Sequence, residues 1–267
     1  MYPVHVINLQ RRGDRMGRIG ARLDALGIAW SRIEAIDAAQ VPEAALRRAF
    51  GGGWRGRAFP ATPGDMACSL SHQMIWREIA EAGQPAVVLE DDARLSAAFR
   101  DCLEDDLVAP MRAAGLGVLK MEYWPGPQQS RRQPLGEPVG QIRGGARMFR
   151  LCSSFLGTCA YLIRPEAAEL ALSHHPRMMV PVDHYLFGRE AGLGFPLLLP
   201  GFLNPAPVLH DVETFASDIA AGRGAAGDPR RRSLLRRLCD ARARRLEAQD
   251  RRRHGARPVE MRFAEPV

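Results

Sequence analysis

Short apolar runs and one amphipathic stretch alternate along the first forty residues. VHVINL (residues 4–9) and IAWSRIEAID (residues 28–37) are predicted to form two strands. Between them, residues 11–27 carry apolar side chains at helical spacing and end in Gly27, which predicts a helix and its stop. A strand, a helix and a second strand in succession favour a parallel sheet flanked by helices.

A longer helix is predicted for residues 63–83. Pro63 suits an early helical position, Asp65 supplies the acidic first turn, and Gly83 marks the end. Its apolar stripe is formed by Met66, Leu70, Met74 and Ile79. The preceding residues 38–62 are rich in Gly and Pro and are expected to form a loop.

The rest of the chain continues the α/β alternation. PAVVLEDDARL (residues 85–95) is a buried-strand pattern that ends in three acids, and an amphipathic helix is predicted for residues 93–111. Further predictions are a strand over 116–124, a polar loop over 125–140, a strand over 141–151, a strand that passes into a helix at Arg164–Pro165, and the short apolar runs FPLLLP and PAPVLH. The sequence therefore predicts an α/β body over residues 1–228 and a separate tail over 229–267.

Charge is concentrated in that tail. The chain has a net charge of +7, and its basic residues are Arg except for Lys120. Residues 229–253 hold eleven Arg against three acids, a local net of +8, so the rest of the chain is close to neutral. Leucines fall on one side of this segment: Leu234, Leu235, Leu238 and Leu246. A basic amphipathic helix suits an anionic membrane surface; the alternatives are a solvated helix packed on the body and a disordered tail.

Cysteine usage and the N-terminus favour a cytoplasmic protein, or one peripheral on the inner face of the cytoplasmic membrane. The five Cys residues are irregularly spaced and form no CxxC pair, which indicates neither a disulfide framework nor a zinc motif. The N-terminus is a poor signal peptide, since its apolar run is short and its Arg residues follow that run. No apolar stretch is long enough to predict a transmembrane helix.

The three adjacent acids, Glu90, Asp91 and Asp92, need an explanation because their charges repel. In open α/β sheets, ligands bind beyond the carboxyl ends of the strands. A divalent cation such as Mg²⁺ or Mn²⁺ would make the cluster tolerable. On extended backbone, Glu90 and Asp92 would share one face, with Asp91 opposite. The alternative is that the acids cap the helix that follows.

Seven blocks in order resemble one enzyme family. They are VHVINLQRRGDRMGRI, AIDA, GDMACSLSHQMIWREI, PAVVLEDDARL, GTCAYLIRPEAAELAL, PVDHYLF, and PAPVLH with a later SDI, which together cover residues 1 to about 219. The chain resembles glycosyltransferase family 25, the lipopolysaccharide-type sugar transferases related to collagen galactosyltransferases. The resemblance implies a GT-A-like (Rossmann-like) fold, a nucleotide-sugar donor, often UDP-galactose, and inverting transfer with Mn²⁺ or Mg²⁺. The acidic triplet would correspond to the DxD-type motif, although it is E-D-D here.

The resemblance also implies roles for individual residues. Asp92, with Glu90 and His210, would hold the metal, and Asp91 would face the ribose or sugar of the donor. Asp183 in PVDH would be the general base that takes the proton of the acceptor hydroxyl. For Asp183 the alternative is helix capping, and for His210 a structural role. The neighbouring Asp211 could orient His210 or compete with it for the same role.

Donor contacts are expected from four short segments. Asn8 and Leu9 end the first predicted strand, and Arg15 would contact the diphosphate or pair with Asp14 or Asp37. Asp37 ends the second predicted strand. Ser71 and His72 form a polar pair inside a helix, which either faces the donor or is buried and hydrogen-bonded. Gly157 and Thr158 would allow close approach to the sugar, unless Gly157 only relieves crowding in a strand.

The predicted function is transfer of a hexose, galactose from UDP-galactose, to a glycan or glycolipid acceptor of lipopolysaccharide or a related glycoconjugate. The rival is a non-catalytic protein whose Arg-rich tail binds nucleic acid or a membrane surface. The basic segment has no interleaved aromatic residues, and a carboxylate cluster repels phosphate in the absence of metal, so no nucleic-acid partner is expected. A metal-dependent phosphohydrolase would need a nucleophile or a second set of metal ligands, and neither is evident.

Overall fold

A computed structural model describes residues 1–124, 133–142, 145–211 and 233–264. The strands are β1 (Val4–Asn8), β2 (Ser31–Glu34), β3 (Ala86–Glu90), β4 (Ala93–Leu95), β5 (Val118–Lys120), β6 (Glu122–Tyr123), β7 (Leu135–Gln141), β8 (Arg147–Leu151), β9 (Ala160–Ile163), β10 (Gly201–Asn204), β11 (Val208–His210) and β12 (Arg257–Pro258). The helices are α1 (Gly13–Ala25), α2 (Glu43–Phe50), α3 (Trp54–Ala58), α4 (Pro63–Ala82), α5 (Ala98–Glu104), α6 (Val108–Ala113), α7 (Pro165–His174), α8 (Val182–Phe187), α9 (Gly194–Leu198) and α10 (Leu234–Arg253).

Within the described residues, nine strands form the main sheet in the order β12-β7-β8-β10-β5-β9-β3-β1-β2. Strands β2, β1 and β3 are mutually parallel, as are β5 and β10. Strand β9 runs antiparallel between β3 and β5, and β8 and β12 are antiparallel to their neighbours. Six of these nine strands therefore run in one direction, and the predicted α/β fold with a mostly parallel sheet is confirmed.

The order of the first three strands creates a binding crevice. The chain passes from β1 to β2 on one side, and then returns to place β3 on the other side of β1. Such a reversal leaves a gap beyond the carboxyl ends of the two central strands, because the connections leave them in opposite directions. Asn8 ends β1 and Glu90 ends β3, so both lie at this gap.

Side-chain alternation along the sheet separates two apolar layers. Val88 of β3 packs with the layer that includes α2, α4 and α7, whereas Val87 and Leu89 pack with α1, α5 and α6. All three side chains are fully buried. Strands covered on both faces are expected to be continuously apolar, as AVVL is.

A second sheet within the described residues has three strands in the order β4-β11-β6. Strand β11 is antiparallel to β4, with His210 opposite Ala93, and parallel to β6. This pairing brings His210, from late in the chain, directly beside the residues that follow β3.

Helix α4 confirms the predicted helix and both of its ends. Thr62 is its N-cap and forms a capping box with Asp65, while Gly83 ends it at φ +64°. Polar residues of this helix are buried together with the apolar ones, namely Ser69, Ser71, His72 and Gln73. Because buried polar groups need hydrogen-bond partners, we expect these side chains to form hydrogen bonds with neighbouring segments.

Three of the predicted segments were wrong. Residues 38–62 contain α2 and α3, whose apolar side chains reach the core despite the surrounding Gly and Pro. The helix predicted over 93–111 is strand β4 followed by two short helices, since β4 pairs with β11. The predicted loop over 125–140 contains most of β7; its residues 125–132 lie outside the described residues.

The C-terminal residues 233–264 pack on the body. Helix α10 buries Cys239 and Ala243, and β12 pairs with β7 at the edge of the main sheet. The basic helix predicted for the tail is therefore present, but the boundary predicted at residue 228 and the SDI motif lie outside the described residues. Among the described helices, none combines the length and apolar character needed to cross a membrane.

Candidate active site

A cleft of about 460 Å³ opens at the carboxyl ends of β1 and β3. Every site residue predicted from the sequence lines it: Asn8, Leu9, Arg15, Asp37, Ser71, His72, Glu90, Asp91, Asp92, Gly157, Thr158, Asp183 and His210. They come from nearly the whole length of the body, and the reversal between β1 and β3 brings them together. The structure thus places the predicted residues in one site, while their individual roles stay predictions.

The three acids diverge because β3 ends at Glu90 and the next two residues form a turn. The strand alternation assumed for Glu90 and Asp92 therefore does not extend to Asp92, and each acid has its own partners. Strand β4 begins at Ala93, and the next helix begins only at Ala98. Since no helix follows the acids directly, they do not act as its N-cap.

Asp91 is held by two residues from the first strand and helix. Asn8 Nδ2 donates to Asp91 Oδ2 at 2.7 Å, and Arg15 donates to Asp91 Oδ1 at 3.1 Å. Burial raises the pKa of the Asp91 carboxyl, against the effect of these two hydrogen bonds. Arg15 thus pairs with Asp91, whereas Asp14 pairs with Arg12.

Asp92 faces His210. His210 Nε2 lies 3.2 Å from Asp92 Oδ2, and the Cys159 thiol lies 3.5 Å from Oδ1. Burial alone would raise the pKa of Asp92, but the hydrogen bond and charge of His210 outweigh it and lower that pKa. For His210, burial lowers the pKa, yet Asp92 raises it to about 9. Asp211 contacts Asp92 through the backbone, since its N–H donates to the Asp92 carbonyl at 3.2 Å.

Glu90 turns toward the other wall. Thr158 donates its hydroxyl to Glu90 Oε1 at 2.6 Å, and His72 Nε2 lies 3.4 Å from the same oxygen. His72 is completely buried, and its Nδ1 lies 2.8 Å from the Tyr161 hydroxyl. The two alternatives for His72 therefore coincide, since it is both buried and part of the cleft wall.

A divalent ion implied by the family resemblance would fit at Asp92 and His210. Mg²⁺ and Mn²⁺ sites commonly use one or two carboxylates and complete their shell with water and substrate phosphate. Asp92 offers a carboxylate, and His210 Nε2, 3.2 Å from Asp92 Oδ2, is close enough to share an ion with it once the ion displaces the proton that Asp92 favours on His210. Glu90, the third predicted ligand, contacts Thr158 and His72 instead.

Asp183 lies in the first turn of α8. Pro181 is the N-cap and provides no side-chain cap, while Asp183 Oδ1 accepts the N–H of His184 at 2.7 Å. Asp183 therefore satisfies one donor at the helix start and still reaches the cleft. The Val182 N–H donates to Ser69 Oγ at 3.0 Å, which ties this helix to α4.

Ser71 and Asp37 shape the wall near β2. The Ile36 N–H donates to Ser71 Oγ at 2.9 Å, so Ser71 fixes the segment after β2 to α4. Asp37 accepts the Ala39 N–H at 3.0 Å and Arg11 Nε at 2.8 Å. The hydrogen bond from Ala39 is the main cause of the lowered pKa of Asp37, and Arg11 adds to it.

Gly157 is required by a buried ion pair that sequence reasoning missed. Its φ is +111°, and a Cβ atom at this position would lie 2.5 Å from Glu122 Oε1. Glu122 pairs with Lys120, and Lys120 Nζ donates to the Gly157 carbonyl at 2.6 Å. Gly157 lies before β9, not within it, so strand crowding does not explain it. The available signal was Lys120 itself, since every other basic residue is Arg.

Several known proteins share this sequence pattern. The chain is 31% identical over 192 residues to human "Inactive glycosyltransferase 25 family member 3", covering 68% of this chain and 31% of that protein. Procollagen galactosyltransferase 1-B of Xenopus laevis is 30% identical, with 68% and 30% covered. The chain thus spans about a third of the length of these animal relatives.

A bacterial relative matches over more of its length. The lacto-N-neotetraose biosynthesis glycosyltransferase LgtB of Neisseria gonorrhoeae is 29% identical over 213 residues, which cover 76% of this chain and 72% of LgtB. A solved glycosyltransferase involved in glycosylation of the major capsid of PBCV-1 has a TM-score of 0.37 and 10% identity, over 82% of this chain and 95% of that one. This structural similarity is too low to support a conclusion.

The family model of glycosyltransferase family 25 (LPS biosynthesis protein) matches residues 1–186. This range includes α4, the acidic triplet and Asp183. That range is well over half of the chain. The protein therefore belongs to glycosyltransferase family 25.

Proposed function

We propose that this protein transfers a hexose from a nucleotide sugar to a glycan acceptor, with inversion at the anomeric carbon. The observation that carries the proposal is the crevice between β1 and β3, where Arg15, the three acids and His210 meet in the same cleft as Asp183. A nucleoside diphosphate needs cationic neutralisation, and an acceptor hydroxyl needs a base. This cleft offers residues suited to both.

Departure of the diphosphate is the electrostatic part of the proposed reaction. Arg15 carries a positive charge on the crevice wall, 3.1 Å from Asp91 and 4.0 Å from Asp92. Asp92 and His210 are the proposed holders of Mn²⁺ or Mg²⁺, which when bound would act as a Lewis acid on the leaving diphosphate. Asn8 and Asp91 are proposed to orient the ribose, next to the walls formed by Leu9 and Asp37.

Proton removal from the acceptor is assigned to Asp183. Its carboxylate lies at the cleft wall and accepts one backbone N–H through Oδ1, which fixes its position. In a single displacement, the acceptor oxygen forms a bond to the anomeric carbon, the bond to the diphosphate breaks, and the acceptor proton passes to the carboxylate. Such proton transfer contributes about 10²- to 10⁴-fold to the rate.

The names of the relatives supply the finer part of the proposal. A procollagen galactosyltransferase and LgtB, named for lacto-N-neotetraose biosynthesis, suggest galactose from UDP-galactose. The family description mentions lipopolysaccharide biosynthesis, so the proposed acceptor is a lipopolysaccharide or related glycan.

A membrane-associated acceptor would suit the C-terminal face, with the protein cytoplasmic and peripheral on the inner membrane surface. Four exposed large apolar side chains of the described residues come from α3, the end of α9 and α10: Trp54, Leu199 (which follows α9), Leu234 and Leu238. Three of them border a cavity of about 550 Å³ beneath α10 that is also lined by Arg55 and Arg242. Apolar groups beside cations are the combination that favours an anionic lipid surface.

The test is a donor screen that measures nucleotide release with and without Mn²⁺ and glycan acceptors. Acceptor-dependent release of UDP from UDP-galactose, with an inverted linkage in the product, is expected. Release from no nucleotide sugar would overturn the proposal and favour a non-catalytic family member, as the name of the human relative describes that protein.

The metal assignment is tested with Asp92→Asn, which preserves shape and removes charge. Its transfer rate is expected to fall at least about 100-fold, because an uncharged amide holds a divalent cation weakly. Asp101→Asn, an exposed acid on α5, should keep full activity. Full activity of wild-type protein in a chelator would contradict the metal, while leaving sugar transfer itself in place.

A further inference from the structure

Three side chains that can bind a metal meet on the α4 side of the cleft. Cys68, His72 and Glu90 each present one ligand atom, and these atoms all lie within 4.8 Å of one another. Cys68 and His72 are four residues apart on α4, so they face the same way. Within the described part of the chain, no other group of three such side chains is this close.

His72 is arranged as a metal-binding histidine is. Its Nε2, 3.4 Å from Glu90 Oε1, is buried and has no hydrogen-bond partner. Its other ring nitrogen lies 2.8 Å from the Tyr161 hydroxyl, which also accepts from Trp76 Nε1 at 2.9 Å. To bind a metal through Nε2, His72 would donate its Nδ1–H to the Tyr161 hydroxyl, as a metal-bound histidine donates through its second nitrogen. A buried nitrogen without a partner is costly unless a ligand satisfies it.

The ligand types select the metal. A thiolate, an imidazole and one carboxylate suit Zn²⁺, whereas Mg²⁺ and Mn²⁺ prefer oxygen ligands. Around a tetrahedral Zn²⁺, ligand distances of about 2.0–2.3 Å place neighbouring ligand atoms roughly 3.3–3.8 Å apart. The separation of His72 Nε2 from Glu90 Oε1 already agrees with that spacing.

We propose that Cys68, His72 and Glu90 form a Zn²⁺ site with its fourth position open toward the cleft. All three residues line the cleft, and three protein ligands with one open position are typical of zinc sites that contact substrate or water. Binding converts the Cys68 thiol to a thiolate and releases its proton to solvent. In the sequence, only the four-residue spacing of Cys68 and His72 indicates this site, because the third ligand, Glu90, comes from β3.

This site is distinct from the one proposed at Asp92 and His210. The Zn²⁺ site uses the α4 wall, and it depends on sulfur and nitrogen ligands. Thr158 donates to the same Glu90 oxygen that lies near His72, which holds this carboxylate toward the α4 wall. The inference does not rest on sugar transfer, and it is tested by binding alone.

The experiment is titration of chelator-treated full-length protein with Co²⁺, which reports a thiolate ligand by an intense near-ultraviolet absorption band. We expect one equivalent to produce that band, and Zn²⁺ to displace it. Cys68→Ser should abolish the band. Cys102→Ala, which changes a buried cysteine of α5 far along the chain, should retain it. Asp92→Asn should retain it as well, which separates this site from the other metal position.

Tyr161→Phe provides a finer test of the geometry. It removes only the hydroxyl that fixes His72 Nδ1, and loss of such a partner weakens metal affinity about 10- to 100-fold. Far-ultraviolet circular dichroism and thermal unfolding confirm that each variant is folded. Absence of the thiolate band in folded wild-type protein, or its persistence in Cys68→Ser, would overturn the proposal.

Discussion

Lys120 is the residue on which the conformation of the Gly157–Thr158 segment depends. Its side chain is fully buried, and its ammonium lies 5.0 Å from the Phe155 ring and 4.5 Å from the Phe187 ring. It also pairs with Glu122 and donates to the Gly157 carbonyl. The compact ammonium fits this enclosure, whereas the larger planar guanidinium of Arg differs in shape and hydrogen-bond geometry.

Gly157→Ala is therefore expected to destabilise the fold. The backbone at φ +111° costs a non-glycine residue about 1–3 kcal/mol, and the added methyl group would overlap the Glu122 carboxylate. Gly17→Ala is the control, because Gly17 lies in α1 with nothing within 4 Å of the added atom. That control should gain about 0.5–1 kcal/mol. Urea denaturation measures both, and equal stabilities would contradict the constraint.

Asp183→Asn is expected to lower kcat by about 10²- to 10⁴-fold and to leave donor affinity nearly unchanged. The amide keeps the size of the side chain and can still accept the His184 N–H, but it cannot take a proton. Steady-state kinetics with donor and acceptor varied separately measure the two effects. Glu169→Gln, on the exposed side of α7, is the matched control. An unchanged kcat would eliminate Asp183 as the base.

The sequence-predicted residues that line the cleft have positions that a sequence pattern can identify. Asn8 ends a strand, Glu90 begins an acidic run at a strand end, and His72 is a polar residue inside an apolar helix. Glu122 and Tyr161 were missed because their importance lies in partners from distant segments. Residue type and local spacing do not predict such pairings between distant segments.

At the scale of single elements, α4 forms one wall of the cleft and contributes to the core. Its N-terminus is fixed by the Thr62–Asp65 capping box: Thr62 Oγ1 accepts the Asp65 N–H at 3.2 Å, and Asp65 Oδ2 accepts the Thr62 N–H at 2.9 Å. The side chains of Ser69, Ser71 and His72 depend on the orientation of this helix. Loss of the cap should therefore affect stability first and the cleft second.

Thr62→Ala is expected to lower the free energy of unfolding by about 1 kcal/mol, within a range of about 0.5–2. The reason is that the Asp65 N–H loses its acceptor at the helix start. Ser173→Ala removes an exposed hydroxyl that donates to the Leu170 carbonyl in the last turn of α7, and should change stability by less than about 0.5 kcal/mol. Chemical denaturation at neutral pH compares the two. Equal effects would show that the capping box adds nothing.

Element prediction succeeded where caps and periodicity agreed, and failed where tertiary pairing decided. Helix α4 has a capping box, a stop and an apolar stripe, all visible in the sequence. Strand β4 forms because β11 pairs with it, and α2 and α3 form because Phe50 and Ala58 reach the core between glycines. Those causes lie outside the local sequence window.

At the scale of the whole molecule, Glu190 links the C-terminal helix to the cleft. Its carboxylate contacts Ser154, lies 3.3 Å from His184 Nδ1, and accepts Arg236 of α10 at 3.1 Å. Burial alone would raise the pKa of Glu190, but His184 and Ser154 outweigh it and lower the pKa from 4.5 to about 2. His184 is the neighbour of Asp183, so this network connects α10 to the residue proposed as base.

Acid is expected to weaken this network. Because the folded pKa lies below the unfolded value of 4.5, the contribution of Glu190 is complete above about pH 4.5 and is lost as the pH falls toward 2. The loss is on the order of 3 kcal/mol for this group. Glu190→Gln should be less stable at pH 7 and should lose less stability between pH 4.5 and 2.5. Urea denaturation at both pH values measures the free energy of unfolding of the wild type and the variant. Equal losses of stability in the two proteins would contradict the role assigned to Glu190.

The proposed membrane face is tested by substitution, since residues 233–264 contribute to the fold and cannot be deleted without exposing core. Leu234 and Leu238 are 73% and 60% exposed. Changing both to Ser should reduce binding to anionic liposomes by at least about 100-fold, because each leucine that becomes buried contributes about 1.5–3 kcal/mol. Uncharged liposomes and activity on a soluble acceptor serve as controls. Undiminished binding would show that these leucines are not part of the membrane-binding face.

The two buried serines of α4 determine how the cleft can open. Ser69 accepts from Val182 at the start of α8, and Ser71 accepts from Ile36 after β2. The start of α8 and the segment after β2 are thereby both hydrogen-bonded to α4. On the opposite side of the cleft, the Trp124 ring lies 5.1 Å from the His210 ring at a tilt of 50°. Because the α4 side is tied together, we expect substrate to enter and product to leave past the Trp124 ring, which lines the cleft.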